Sequence, residues 1–244
     1  MNEDLEQTCK TLRLRRIMDI HEREVDRAEE GGTSYTEFLS RVLREELLDK
    51  QRRSTDARIK KARIPEHWTI DSFPWDRQPG VDRTVIRRHA ELDFLRTGTN
   101  LVLIGPTGVG KTGLATGLLL QALHDGYRGL FIKAQDLFDE MYASLADRSS
   151  RKLLDRLIRF DLVLIDELGY LNLQPEQTNI FFKLMEDRYT ARKATIITTN
   201  LEYEDWARFL GNPALTDALL SRVRHRCNTI RIDGPSLRSQ VEAP

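Results

Sequence analysis

A glycine-rich stretch near the middle of this 244-residue chain, Gly105 to Thr112, combines residue types that can do chemistry. It reads Gly-Pro-Thr-Gly-Val-Gly-Lys-Thr and directly follows an apolar, strand-like run. Glycines let the backbone turn its amides toward phosphate oxygens, and a helix that starts near Gly110 adds its positive dipole end. The Lys111 ammonium can reach the β- and γ-phosphates of a nucleotide, and the Thr112 hydroxyl can bind Mg²⁺. The predicted nucleotide-binding residues here are Gly105, Pro106, Thr107, Gly108, Val109, Gly110, Lys111, Thr112 and Gly113.

Two adjacent acids end another apolar run, Leu162-Val-Leu-Ile-Asp166-Glu167. An aspartate at the carboxyl end of a strand can hold Mg²⁺, directly or through its water, so we predict that Asp166 shares the metal with Thr112. Glu167 is expected to point to the other side, where its carboxylate can orient and deprotonate an attacking water. A second acid at this place favours hydrolysis over transfer of phosphate to a small bound acceptor.

Two later polar residues fit the same chemistry. Asn200 ends the strand-like run Thr195-Ile-Ile-Thr-Thr-Asn200, and its carboxamide can hydrogen-bond the γ-phosphate or the attacking water. Arg222 lies near the end of a helix that begins near Pro213, and we predict that it reaches the γ-phosphate of a neighbouring subunit. Arg224 is the alternative for that role. The hydroxyls of Thr198 and Thr199 receive no role, because β-branched residues are ordinary in strands.

Strand-like and helix-like segments alternate from about residue 81 onward. Short apolar runs separated by helix-length segments are typical of a parallel sheet that is buried on both faces. The sequence therefore predicts an α/β fold with about five strands. The five runs are Asn100–Gly105, Gly129–Ala134, Asp161–Asp166, Ala194–Asn200 and Asn228–Ile232.

Residues 1–63 have a different character, since they lack proline and show apolar residues at helical spacing. We predict a small helical domain there, a linker at residues 64–80 and an ATPase domain at residues 81–244. Between Arg41 and Arg63 there are nine Lys/Arg against four Asp/Glu, which predicts contact with a phosphate backbone. The proposed DNA-binding residues are Arg52, Arg53, Lys60 and Lys61.

Three aromatic residues stand in the predicted linker, among prolines: Trp68, Phe73 and Trp75. We expect these rings to anchor the segment on the domain that follows rather than to stack on adenine.

Composition limits the class of protein. The 38 Lys+Arg balance the 38 Asp+Glu, so the chain as a whole is not basic, although its charges are unevenly distributed. No run of 18 apolar residues occurs, and the first residues are polar and acidic, so we expect neither a membrane span nor a signal peptide. The isolated Cys9 and Cys227 suggest free thiols and a cytoplasmic location.

Taken together, these residues resemble the AAA+ superfamily, and within it the IstB/DnaC-type clade. The likeness is strongest to the IstB side, the ATPase helpers of insertion-sequence transposition, and covers nearly the whole chain. The matching segments are Lys10–Leu14, Tyr35–Leu39, Lys61–Pro65, Asp71–Trp75, Leu101–Thr112, Asp166–Tyr170, Thr199–Asn200 and Gly234–Arg238. Two positions depart from the family pattern: Gly113 replaces a histidine and Leu237 an aromatic residue, and neither is a phosphate or metal ligand.

The resemblance implies an AAA+ P-loop core, preceded by a small all-α domain, that uses ATP and Mg²⁺. It implies self-association into an ATP-dependent oligomer on double-stranded DNA, bound without sequence specificity, and a cognate transposase as partner. Arg238 matches the arginine of the family's closing motif and would sense the nucleotide. The alternative is a replicative-helicase loader of the DnaC type, and a third reading, a small-molecule kinase, leaves Glu167 and Arg222 without a use.

Overall fold

The computed structural model describes residues 3–169, 171 and 173–238. Tyr170, the last residue of the family segment that starts at Asp166, lies outside the described residues. The chain forms two compact units that meet in sequence between Ala57 and Arg58. This boundary lies inside a long helix. The domain limits at residues 63 and 80 stay a prediction.

The helical N-terminal region is confirmed. Its small apolar core contains Cys9, Ile17 and Val42, and the buried carboxylate of Glu46 accepts a hydrogen bond from the Ile17 amide at 3.1 Å. Its helices are α1 (Glu3–Thr11), α2 (Arg15–Gly31) and α3 (Tyr35–Ala62), the last of which continues into the second unit.

The second unit is built around the predicted five-stranded sheet, which the structure confirms. All neighbouring strands are parallel, and their order is β2-β3-β4-β1-β5. The strands are β1 (Asn100–Ile104), β2 (Gly129–Lys133), β3 (Leu162–Leu168), β4 (Ala194–Thr199) and β5 (Cys227–Arg231). Because β4 lies between β1 and β3, the carboxyl ends of these three strands meet at one edge of the sheet.

Helices cover both faces of this sheet. The remaining helices are α4 (Arg83–Ala90), α5 (Asp93–Thr97), α6 (Lys111–His124), α7 (Ala134–Ala146), α8 (Ser150–Ile158), α9 (Pro175–Thr190), α10 (Trp206–Leu210) and α11 (Pro213–His225). Leu101 and Leu103 of β1 face the core that contains α6, whereas Val102 and Ile104 face the core that contains α7 and α9. This alternation explains why the strand is apolar throughout.

The aromatic segment of residues 64–80 packs on the α6 side of the sheet, as expected. Phe73 is buried, and Trp68 and Trp75 contact the same core. The rings of Phe73 and Trp75 meet edge to face at 4.8 Å between centroids. This segment is part of the second unit.

Within the described part of the chain, no helix is both long and apolar enough to span a bilayer.

Candidate functional site

The phosphate loop joins β1 to α6 in a conformation that needs its glycines. Gly108 and Gly110 have φ of +86° and +94°, values that side chains disfavour. A Cβ atom on Gly108 would lie 2.2 Å from the Ser236 hydroxyl oxygen, and one on Gly110 would lie 2.7 Å from the Phe73 ring. Backbone angle and close packing therefore both require glycine in this loop.

Gln78 braces this loop, although the sequence analysis assigned it no role. Its buried amide nitrogen donates to the carbonyl oxygens of Val109, at 2.9 Å, and Pro235, at 3.1 Å. The Leu237 amide donates to the Gly108 carbonyl at 2.8 Å. These bonds hold the closing Gly234–Arg238 segment against the phosphate loop. A glutamine in a proline-rich stretch carries no local signal of such a role.

Lys111 lies at the start of α6 with its charge directed back to the loop. Its ammonium donates to the carbonyl oxygens of Gly105 and Pro106, both at 2.7 Å. Burial lowers the pKa of Lys111, while the charges of Asp166 and Glu167 act in the opposite direction. The side chain is thus a poorly solvated cation, which favours binding of an anion such as phosphate.

Asp166 is buried at the carboxyl end of β3 and is surrounded by hydroxyl donors. Its carboxylate accepts from Thr112 at 2.9 Å and from Thr198 at 2.5 Å. Burial raises the pKa of Asp166, and the two hydroxyl hydrogen bonds partly oppose that shift. The arrangement joins the phosphate loop to the acid pair, as the shared-metal prediction requires.

A β-bulge separates the two acids. Ile165 pairs with Ile197 and Leu168 pairs with Thr199, so one extra residue of β3 is accommodated between these pairs. Glu167 has φ of +61° and is exposed, whereas Asp166 is buried. The two acids therefore differ in burial, and the expected direction of the Glu167 side chain stays a prediction.

Ten of the predicted residues line one pocket of about 450 Å³. Hydrophobic side chains, among them those of Trp68, Phe73 and Leu237, also line the pocket. Lys133 of β2, in register with Asp166, also lines the pocket and was not predicted. The predicted site residues that line it are Thr107, Gly108, Gly110, Lys111, Thr112, Gly113, Asp166, Glu167, Asn200 and Arg238.

The other predicted loop residues contribute differently. Gly105 and Pro106 offer their carbonyl oxygens to Lys111, and the Val109 side chain is buried in the core.

Arg222 and Arg224 lie on α11 and are not among the residues that line the pocket. Arg222 donates to the Ala218 carbonyl at 3.1 Å and lies 3.5 Å from the Glu186 carboxylate. Arg224 lies over the Tyr203 ring at 5.5 Å. Neither arginine is therefore placed to act on the pocket of its own chain.

The four predicted DNA-binding residues differ in their ionic partners. Within the N-terminal unit, Arg52 pairs with Asp49 at 2.8 Å, and Arg53 pairs with Asp49 at 2.7 Å and Glu46 at 3.3 Å. Lys60 and Lys61, in the other unit, are exposed and form no ion pair with the part of the chain that the structure describes. The two lysines are thus the cations most available to a phosphate.

The donor set suits a magnesium nucleotide. The oxygens of Thr112 and Asp166 are hard ligands of the type that Mg²⁺ prefers, and they lie within hydrogen-bond distance of each other. Gly108, Gly110 and Lys111 line the same pocket, and the amides at the start of a helix are a common binding site for phosphate.

Comparisons with known proteins identify relatives of this chain. A family model described as IstB-like ATP binding protein matches residues 7–243. An ATP-binding protein of the insertion sequence IS21 from Pseudomonas aeruginosa is 32% identical over 235 residues, which cover 96% of this chain and 88% of the relative.

Solved structures show the same core. A DnaC helicase loader superposes with a TM-score of 0.53 at 26% identity, over 62% of this chain and 87% of that chain. The replication initiator DnaA bound to AMPPCP and single-stranded DNA superposes with a TM-score of 0.59 at 20% identity, over 70% of this chain and 51% of that chain. The latter similarity shows the fold alone.

Gly110→Ala is expected to weaken binding of an ATP analogue more than tenfold, because the new Cβ displaces Phe73 or the loop. Gly126→Ala is a matched control, since Gly126 has φ of +95° and no atom near its Cβ position. Both variants should lose roughly 1 kcal/mol of stability from the left-handed conformation. Binding is measured by fluorescence of a labelled nucleotide, and stability by thermal unfolding. Equal affinity of the two variants would contradict the role of close packing in the loop.

Proposed function

We propose that this chain, which belongs to the family of IstB-like ATP-binding proteins, hydrolyses ATP on duplex DNA as the helper of an insertion-sequence transposase. The observation that carries the proposal is the convergence of Lys111, Thr112, Asp166 and Glu167 on one pocket. The match to the family extends over the helical N-terminal region as well as the AAA+ core, and the relative from Pseudomonas aeruginosa is named for an insertion sequence.

In the proposed reaction, loop amides and the Lys111 ammonium bind the β- and γ-phosphates. Thr112 and Asp166 hold Mg²⁺, which when bound withdraws charge from the phosphate oxygens. Glu167 accepts a proton from water while the water oxygen bonds to the γ-phosphorus and the bond to the β-phosphate oxygen breaks. Asn200 orients the water or the γ-phosphate. The products are ADP and inorganic phosphate.

Two arginines complete the proposed site from different directions. Arg238 lines the pocket of its own chain, where it would sense the bound nucleotide. Arg222 acts in trans on the nucleotide of a neighbouring subunit, with Arg224 as the second candidate. Such an arrangement couples ATP binding to self-association, because each site is complete only between two subunits.

DNA binding completes the proposal. Residues 1–63 would form the DNA- or partner-binding domain, residues 64–80 the linker and residues 81–244 the ATPase domain. Lys60 and Lys61 are exposed cations without an ionic partner among the described residues, which supports contact with phosphates. Contacts of this kind carry no sequence information.

A helicase loader is the second candidate, because the DnaC structure shares the core at 26% identity. That similarity covers 62% of this chain, whereas the IstB-like family model matches residues 7–243. The family match and the relative from Pseudomonas aeruginosa, which is named for an insertion sequence and is 32% identical over 96% of this chain, support the transposition helper. Recovery of a replicative helicase without any binding to duplex DNA would favour the loader.

Glu167→Gln tests the proposed reaction directly. The variant should bind ATP with an affinity within about threefold of the wild type, because the carboxamide keeps the size of the side chain. Its turnover should fall at least 100-fold, since the proton acceptor is lost. Phosphate release is measured with and without duplex DNA. Absence of turnover in the wild type under both conditions would contradict the ATPase, and normal turnover of Glu167→Gln would remove the proposed base.

Mixing variants tests the trans arginine. Arg222→Ala and Lys111→Ala should each lack activity, because one lacks the arginine donated to its neighbour and the other cannot bind ATP. A mixture should recover part of the turnover, since an intact nucleotide site then meets an intact arginine. Arg224→Ala mixed with Lys111→Ala is the parallel test of the other candidate. No recovery in either mixture would argue against action in trans.

Salt dependence tests the DNA contacts. Lys60→Ala/Lys61→Ala should weaken duplex binding and reduce the slope of log affinity against log salt by roughly 2, because two phosphate contacts are lost. Arg52→Ala should have a smaller effect, since Asp49 already neutralises much of that charge. Binding is measured by fluorescence anisotropy on two unrelated duplexes. A salt slope unchanged by the double substitution would exclude these lysines from the interface.

A further inference from the structure

The bulge in β3 leaves backbone groups near Asp166 and Glu167 without their regular hydrogen-bond partners in β4. The regular pairing of β3 with β4 is interrupted between Ile165 and Leu168, so the intervening backbone loses its ladder partners. Glu167 lies in this interval with a left-handed backbone, φ of +61°. A non-glycine residue keeps such a conformation only when its surroundings hold it there.

The Thr198 hydroxyl provides a partner for one of these backbone groups and also bonds to the neighbouring acid. It accepts a hydrogen bond from the Glu167 backbone amide at 2.9 Å and donates one to the Asp166 carboxylate at 2.5 Å. Thr198 is fully buried. One hydroxyl group therefore touches both acids of the site, the backbone of one and the carboxylate of the other.

We infer that Thr198 is a positioning residue of the ATPase site, whose hydroxyl fixes the Asp166 carboxylate and the Glu167 backbone relative to each other. This inference rests on the proposed function of the two acids. It assigns a role to a strand residue that contributes no charge and no proposed contact with the nucleotide.

Neighbouring threonines show that the role belongs to position 198. Thr199 also bonds within the bulge, but its hydroxyl donates to the Leu168 carbonyl and accepts from the Leu201 amide. Thr195, buried on the same strand, accepts from the Arg188 guanidinium at 3.0 Å. None of these three hydrogen bonds involves an acid of the pair.

Thr112 also donates to Asp166, but its position in the site is different. Thr112 is a proposed Mg²⁺ ligand, so its hydroxyl is not reserved for the acid. The Thr198 hydroxyl donates its hydrogen to the Asp166 carboxylate and accepts a hydrogen bond from the Glu167 amide. It can therefore keep Asp166 oriented while Thr112 binds the metal.

The test compares Thr198→Val, which keeps the shape and removes the hydroxyl, with Thr198→Ser, which keeps the hydroxyl. At saturating Mg²⁺, Thr198→Val should lower kcat for ATP hydrolysis roughly 10- to 100-fold, the usual effect of losing a group that orients a metal ligand. KM should stay within about threefold of the wild type, and Thr198→Ser should restore most of kcat. Thr195→Val is the matched control, because it also removes a buried hydroxyl acceptor from β4, and its kcat should be that of the wild type.

Two further measurements do not depend on turnover. Thr198→Val should raise the Mg²⁺ concentration needed for half-maximal binding of a non-hydrolysable ATP analogue about tenfold, because Asp166 is less well oriented. It should also speed hydrogen exchange of the Glu167 amide, whereas Thr195→Val should not. If Thr198→Val is too unstable to purify, Thr198→Cys provides the same comparison, since a thiol is a weaker donor and acceptor.

The outcomes separate this inference from the proposed function. Wild-type kcat in Thr198→Val, or a higher KM with an unchanged kcat, would overturn the inference. Equal loss of kcat in Thr198→Ser and Thr198→Val would overturn it as well, because the hydroxyl would then not be the cause. If the wild type hydrolyses no ATP, the proposed function fails, and the Mg²⁺ dependence of analogue binding and the exchange of the Glu167 amide still decide whether Thr198 positions the acids.

Discussion

A carboxylate that is buried at the carboxyl end of a strand needs hydrogen bonds. The hydrogen bonds of Asp166 link the phosphate loop to two strands of the sheet. Its partners are Thr112 of the phosphate loop and Thr198 of β4. The order of the strands makes this possible, because β4 lies between β1, which leads into the loop, and β3, which carries the acids. Burial raises the pKa of Asp166, so the hydroxyls that accompany it also help to keep it available as a metal ligand.

The same need for satisfied polar groups explains how the loop is held. A loop that directs its amides at a ligand cannot use all of them to hold itself together. Groups outside the loop hold it instead. The Gln78 side chain donates to the Val109 carbonyl, and the Leu237 amide donates to the Gly108 carbonyl. The closing segment that carries Arg238 thereby becomes part of the nucleotide pocket, which connects the last described residues of the chain to the first strand of the sheet.

Charge in this protein is organised by neighbours rather than by the total. The net charge of zero conceals basic residues of different kinds on α3: Arg52 and Arg53 pair with Asp49 of the same helix. Lys60 and Lys61 have no ionic partner among the described residues. Ion pairs at i,i+3 and i,i+4 stabilise a helix modestly. They also neutralise much of the positive charge that could attract an anionic ligand. A local count of basic residues therefore overestimates the positive surface.

The sequence by itself determined the strands, the phosphate loop, the acid pair and the family, because each depends on residue types at short, regular spacing. It also placed Asn200 and Arg238 among the functional residues, and both line the pocket. Only the tertiary structure identified Gln78, Lys133 and Thr198, and only it showed Arg222 outside the pocket of its own chain. Those assignments depend on contacts between segments far apart in sequence, such as Gln78 with Pro235, and on a bulge that arises from pairing two strands. The sequence of one strand does not show which of its backbone groups will lack a hydrogen-bond partner, because that depends on how the neighbouring strand pairs with it.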